Sequence, residues 1–146
     1  MSRRGAKAAR RLVALALLGG VAGFGQPAQA ITQECPVEGF DSHKIEEAAR
    51  AALSCERSFR VFRLCGSGAS GDFGLGSVVT ERCEAEFLNH LGMSERQAYR
   101  RAQERCARKY RHELGTMYRS FEAFCGAEVA LSYARRSARR PAAQGR

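Results

Sequence analysis

Six cysteines are the residues of this 146-residue chain best suited to covalent or metal chemistry. No two of them form a C-x-x-C pair and the chain has three histidines, whereas a structural zinc site needs four converging ligands. An even number of cysteines in an exported protein instead predicts three disulfides. The predicted disulfide cysteines are Cys35, Cys55, Cys65, Cys83, Cys106 and Cys125. We therefore expect no metal site.

The histidines and carboxylates are not spaced for catalysis. The sequence has no G-x-S-x-G or H-E-x-x-H motif, and its histidines are scattered. Glu84 and Glu86 lie two residues apart on one predicted helix and face different sides, whereas general acid–base catalysis needs converging groups. The glycines between 66 and 71 have the spacing of a dinucleotide fingerprint, but a predicted helix precedes them where that site needs a strand. The sequence favours a non-catalytic protein without a cofactor.

The first 30 residues have the anatomy of a secretory signal peptide. Residues 1–11 carry five Lys/Arg and no acid, residues 12–25 are apolar or small, and Ala28-Gln29-Ala30 is an A-x-A cleavage site. The apolar run is shorter than the roughly 20 residues that span a bilayer. We predict a signal peptide over 1–30, a helical domain over 31–134 and a disordered basic tail over 135–146. The product should be secreted or periplasmic, with no transmembrane segment in the mature chain.

The formal charge of +9 is distributed unevenly. Residues 31–95 carry eleven Asp/Glu and six Lys/Arg, whereas residues 96–146 carry four Asp/Glu and thirteen Lys/Arg. Such polarity orients a molecule with its basic side on an anionic surface, although the same arginines also suit a merely solvated helix face. The predicted basic surface consists of Arg96, Arg100, Arg101, Arg105, Arg108 and Arg111. The expected partner is an anionic lipid surface or an unidentified protein; nucleic acid is not expected, since no recognition motif is present.

Apolar residues recur every three or four positions, which predicts an all-α bundle of three or four helices. Helix one should run from about 42 to 63 after a cap at Asp41 or Ser42. A glycine-rich loop over 66–77 should separate it from helix two, at about 78–91, because interior glycines cost about 1 kcal/mol each. Ser94 and Gln97 form a capping box, so helix three should start at Glu95.

Gly115 decides how helix three continues and which cysteines can pair. The apolar series does not skip at 115, which favours an unbroken or kinked helix; Gly115-Thr116 also suits a stop and a new cap. On one straight helix Cys106 and Cys125 would lie about 28 Å apart, too far for a disulfide, whereas a turn would permit it. Cys65 and Cys83 flank the glycine-rich loop and are the favoured pair.

Residues 54–62 and 83–87 carry a cysteine pattern of a known family. The first stretch is Ser-Cys-Glu-Arg-Ser-Phe-Arg-Val-Phe and the second is Cys-Glu-Ala-Glu-Phe. Over residues 35–91 this layout resembles that of secreted phospholipases A2, in which a helix with C-C-x-x-H-D-x-C-Y is tied by disulfides to an antiparallel helix that begins C-D. The resemblance implies a stapled helical scaffold in which Cys35 stands at the calcium loop.

The catalytic residues of that family are not kept. Ser58 and Phe59 occupy the places of its His-Asp pair, and only Glu84 stands at a supporting carboxylate. The glycine-rich calcium loop is replaced by residues 36–39, Pro-Val-Glu-Gly. The resemblance therefore implies a non-catalytic relative that binds lipid or protein. The alternatives are a small secreted inhibitor of the lysozyme-inhibitor type, although the chain lacks the Trp of that class, and an active calcium-dependent phospholipase, which the missing base disfavours.

Overall fold

A computed structural model describes residues 34–39 and 41–140. The predicted signal peptide and the end of the predicted tail, residues 141–146, lie outside the described residues. The described part is all helical and tied by three disulfides, which confirms the predicted fold class, with five α-helices in place of three or four. They are α1 (Ser42–Arg50), α2 (Cys55–Cys65), α3 (Gly71–Phe87), α4 (Met93–Tyr110) and α5 (Thr116–Arg139), with a short 3-10 helix at Leu88–His90.

The prediction of one helix over 42–63 was wrong because capping residues break it. Asp41 caps α1, as predicted, by accepting the backbone N–H groups of His43 and Lys44. The chain then turns at 51–54, and Ser54, in extended conformation, starts α2 by accepting the N–H of Arg57 at 3.3 Å. Both short helices bury their apolar faces in the same core, so the helical periodicity of the sequence spans the break.

The glycine-rich segment is mostly helical, which corrects the predicted loop over 66–77. Only residues 66–70 form a loop, and α3 begins at Gly71. The buried carboxylate of Asp72 accepts the backbone N–H groups of Ser67 at 3.1 Å and Gly68 at 2.8 Å. The carboxylate also accepts the hydroxyl of Ser120 on α5 at 2.6 Å. These bonds fix the start of α3 and offset the poor helix propensity of its glycines.

Helix three is divided at Gly115, so the favoured unbroken helix was wrong. Residues 111–115 form the turn between α4 and α5, and Gly115 has φ +114°, a left-handed region that side chains rarely adopt. Helix α4 starts at Met93 and not at Glu95, because the Glu95 carboxylate accepts the N–H of Gly92 at 3.2 Å. The turn makes α4 and α5 a helical hairpin, closed by a disulfide between Cys106 and Cys125.

The other two disulfides join Cys35 to Cys65 and Cys55 to Cys83, so the favoured Cys65–Cys83 pair was wrong. Because α3 begins at residue 71, Cys83 lies twelve residues along it, about 18 Å from its start at 1.5 Å per residue. The start of the antiparallel α2, where Cys55 lies, is at that level. Cys65, at the opposite end of α2, pairs with the N-terminal lead-in.

Helix α5 packs along α3 and runs further than predicted. The Phe62 and Phe124 rings stack with centroids 3.8 Å apart, which joins α2 to α5 in the core. The predicted tail from 135 is helical as far as Arg139. It continues directly from Leu131 and Ala134, which are buried in the core. Arg135 also binds Glu56 of α2 with an Nη2–Oε2 distance of 2.9 Å, and this bond lowers the pKa of the Glu56 carboxyl.

Candidate functional site

Ser58, Phe59 and Glu84, the predicted vestigial site, lie on two helices and have different surroundings. Ser58 and Phe59 are buried on α2, and the Ser58 hydroxyl has no hydrogen-bond partner in the described residues. Glu84 lies on α3, where its Oε1 accepts the hydroxyl of Tyr99 at 2.6 Å. Ser58 and Phe59 are thus core residues, and the Glu84 carboxylate is bound to a phenol.

Glu84 instead belongs to a hydrogen-bonded network that joins α3, α4 and α5. The Tyr99 hydroxyl donates to Glu84 and accepts from the Gln103 amide at 2.8 Å, and that amide also donates to the Gly126 carbonyl at 3.1 Å. Burial of Tyr99, together with its bond to Glu84, raises the pKa of the phenol. The phenol therefore stays protonated and acts as a structural donor.

A cavity of about 270 Å³ lies between α3, α4 and α5. Its polar lining includes Ser77, Thr80, Glu81, Gln103 and Glu122. Cys106 also lines it, but its sulfur is bound in a disulfide and is no nucleophile. Throughout residues 34–39 and 41–140, no three His, Cys, Asp or Glu side chains are grouped so that they could hold a metal ion.

The six arginines predicted to form a basic surface are exposed on one side of α4 and its end, here called the arginine face. Its residues are Arg96, Arg100, Arg101, Arg105, Arg108 and Arg111. They lie opposite the buried Tyr99, Ala102 and Cys106, and from first to last they extend about 22 Å along the helix. The arginine face is therefore fixed on a helix whose other side is anchored in the bundle.

Most arginines of the arginine face form no ion pair within the described part of the chain. The Arg96 Nε donates to the Leu91 carbonyl at 3.0 Å, and Arg108 pairs with Glu104 at 3.4 Å. The other four arginines make no ion pair with any described residue; they are Arg100, Arg101, Arg105 and Arg111. Glu104 is the single acid between residues 96 and 111, so this side of α4 carries a large excess of positive charge.

Large apolar side chains are exposed beside the α4–α5 turn, in a group here called the hairpin end. Leu114 is 91% exposed, Met117 50%, Phe121 42% and Phe73, from the start of α3, 48%. The Phe121 ring also contacts those of Tyr110 and Tyr118, and the three ring centroids are 6.0–6.4 Å apart. Cations cover two of the rings, because Lys109 lies 5.0 Å from the Tyr110 centroid and Arg119 lies 5.9 Å from that of Phe73.

The sequence prediction missed the hairpin end because its apolar residues continue a helical stripe. In an unbroken helix, Leu114, Met117 and Phe121 would lie on the same buried side as Cys106 and Cys125. The signal that reveals their exposure is Gly115 followed by Thr116, a stop and a possible new start. Phe73 was missed because its segment was assigned to a loop.

The described helices do not include one long and apolar enough to cross a membrane. No protein-family model, no curated protein and no solved structure matches the chain.

Proposed function

We propose that this chain is an exported, non-catalytic binding module that attaches to an anionic surface through the arginine face of α4. The observation that carries the proposal is the set of four exposed arginines without ion-pair partners on one helix. Four like charges held within a few helical turns repel one another, and that repulsion is relieved when an anionic surface neutralises them.

The charge of the rest of the chain supports this orientation. Residues 31–95, which supply α1, α2 and α3, carry more acids than bases, whereas residues 96–146 carry nine more bases than acids. A molecule polarised in this way approaches a negative surface with its basic side first and keeps its acidic side away. The attraction should weaken with salt, because exposed charges are screened over a Debye length of about 8–10 Å.

A degenerate phospholipase A2-like scaffold is a compatible part of the proposal. What supports it is the antiparallel pair α2–α3 tied by the Cys55–Cys83 disulfide. The absence of catalysis is supported by the burial of Ser58 and Phe59, which offer no base to water. A fluorogenic phospholipid assay with calcium should show no turnover; robust hydrolysis would refute the non-catalytic assignment.

Two charge-matched variants test which side of the molecule binds. The first, called the α4 variant, replaces three unpaired arginines of the arginine face: R100Q and R105Q on α4 and R111Q just after its end. The second replaces three exposed arginines of α2: R57Q, R60Q and R63Q. Each variant loses three positive charges, so a difference between them reports position and not net charge.

The measurement is co-sedimentation with phosphatidylglycerol-containing vesicles, and retention on immobilised heparin as an anionic surface without lipid. A cation near an anionic membrane contributes about 1 kcal/mol, so the α4 variant should lose at least about tenfold in vesicle affinity at about 0.1 M salt. The α2 variant should bind nearly as the parent does. Equal losses in both variants, or a parent chain that binds neither probe, would refute the proposal.

A further inference from the structure

We infer that the hairpin end inserts into the hydrocarbon of a lipid bilayer with anionic headgroups, while the nearest arginines contact those headgroups. This inference rests on the proposed function and names the class of anionic surface. It assigns the membrane contact to Leu114, Met117, Phe121 and Phe73 at one end of the molecule.

The exposed large apolar side chains are concentrated at this end. Among the described residues there are six such side chains, and four of them belong to the hairpin end. Leu53 and Met93 are the other two; Leu53 lies in the turn between α1 and α2, and Met93 is the first residue of α4. Phe73 lies near the start of α5, because its neighbour Asp72 binds Ser120 and its ring centroid is 5.9 Å from Arg119. Large apolar side chains exposed at one end of a small domain mark an interaction surface.

The surrounding charge favours a bilayer over a second copy of the chain as the occupant. Residues 105–121 contain five Lys/Arg and one Glu. Two copies joined through their hairpin ends would bring these like charges together, which opposes association. Anionic headgroups would neutralise them, and apolar side chains flanked by basic residues are the arrangement by which proteins attach to a membrane interface.

The inferred orientation places only part of the arginine face at the membrane. With the hairpin end down, Arg108 and Arg111 lie at the level of the headgroups, next to the turn. Arg100 and Arg101 lie about ten residues earlier on α4, about 15 Å higher if the helix stands upright. That height exceeds a Debye length of about 8–10 Å, so these two should contribute little to vesicle binding. A side-on arrangement would instead use all four equally.

Two links to the rest of the bundle fix the conformation of the hairpin end before it meets a membrane. The disulfide between Cys106 and Cys125 ties α4 to α5 behind the turn, and its two Cα atoms are 5.6 Å apart. The hydrogen bond from Ser120 to Asp72 ties the start of α5 to α3. The apolar side chains therefore need no rearrangement of the helices to reach a membrane, which keeps the ordering cost of insertion small.

A single introduced tryptophan tests insertion directly, because the chain has no Trp of its own. M117W places the probe in the hairpin end, and L53W is the control, since Leu53 is 77% exposed in the turn between α1 and α2. With phosphatidylglycerol vesicles, M117W emission should shift to shorter wavelength and be quenched by lipids brominated on the acyl chain. L53W emission should do neither.

Affinity variants test the same surface without a probe. The double variant L114Q with M117Q should lose at least about tenfold in vesicle affinity, whereas L53Q should lose none. Of two charge-matched pairs, R108Q with R111Q should weaken vesicle binding several-fold more than R100Q with R101Q. Equal losses in the two arginine pairs would overturn the upright orientation.

The outcomes separate the two proposals. If the parent chain binds both heparin and vesicles but M117W is not quenched by brominated lipid, insertion is refuted and attachment to an anionic surface remains. If M117W emission shifts with protein concentration in the absence of vesicles, the hairpin end joins two copies of the chain, and the inference is again refuted. If the parent chain binds neither probe, the proposed function itself fails.

Discussion

Replacing Gly76 with alanine should destabilise the protein, although alanine is the better helix former. Gly76 lies inside α3, where a Cβ would come within 2.7 Å of the Cβ of Ala123 on α5 and within 3.2 Å of the Phe62 ring. Because the Ala123 backbone lies only 3.3 Å away, the helices must separate. Overpacking of this kind costs about 1–3 kcal/mol, and better helix propensity offsets about 1 kcal/mol of it. The net loss should reach up to about 2 kcal/mol.

Gly74, two residues earlier on α3, provides the matched control. A Cβ there would meet only the carboxylate end of Glu46, a flexible side chain that can move away. G74A should therefore raise the free energy of unfolding by about 0.5–1 kcal/mol through helix propensity alone. Urea unfolding of both variants, followed by far-UV circular dichroism with the disulfides intact, should give changes of opposite sign. A G76A protein as stable as G74A would refute the close approach of α3 and α5.

Three further changes test contacts between the helices of the bundle. D72A removes the acceptor of three hydrogen bonds and should lower the urea unfolding free energy by about 3 kcal/mol, more than S120A, which removes one of them; equal losses would contradict this. C106S with C125S opens a disulfide between residues 19 apart and should cost about 3 kcal/mol, seen as a lower Tm by calorimetry; an unchanged Tm would show that the turn is stable without it. Because burial and Glu84 raise the pKa of the Tyr99 phenol, its stabilisation is complete below the unfolded pKa of about 10 and is lost as pH rises above it. Y99F should flatten that alkaline part of the stability profile, and parallel profiles for Y99F and the parent would contradict this.

The apolar spacing was sufficient to predict helices and a shared core, but not where each helix begins. The break at 51–54 depends on the cap at Ser54, a local hydrogen bond that competes with a periodicity running straight across it. The start of α3 was missed for the opposite reason. Glycines at 71, 74 and 76 lower helix propensity, and it is tertiary contact, the buried Asp72 and the approach of Ala123 to Gly76, that keeps them helical.

The positions at which the helices begin also determine which cysteines can pair. Three bridges followed from six cysteines in a chain with the anatomy of an exported protein, but the pairing depends on how far along α3 Cys83 lies. Starting α3 at 78 would place Cys83 close to the loop and to Cys65; starting it at 71 moves Cys83 two turns further, opposite Cys55. The Cys106–Cys125 pair was permitted by the alternative of a turn at Gly115 and excluded by the favoured unbroken helix.

The exposure of the hairpin end follows from the register of α5 against α3. Ser120 meets Asp72, the second residue of α3, so the first turn of α5 extends past the point where α3 begins. Met117, in that turn, is 50% exposed, whereas residues further along α5, such as Ala127 and Ala130, are fully buried. The apolar stripe of α5 is therefore exposed at its start and buried further along. Arg108 and Arg111 lie next to the exposed part. An exposed apolar group marks an interaction surface, and the cations beside it favour an anionic partner, which is what the proposed vesicle experiments test.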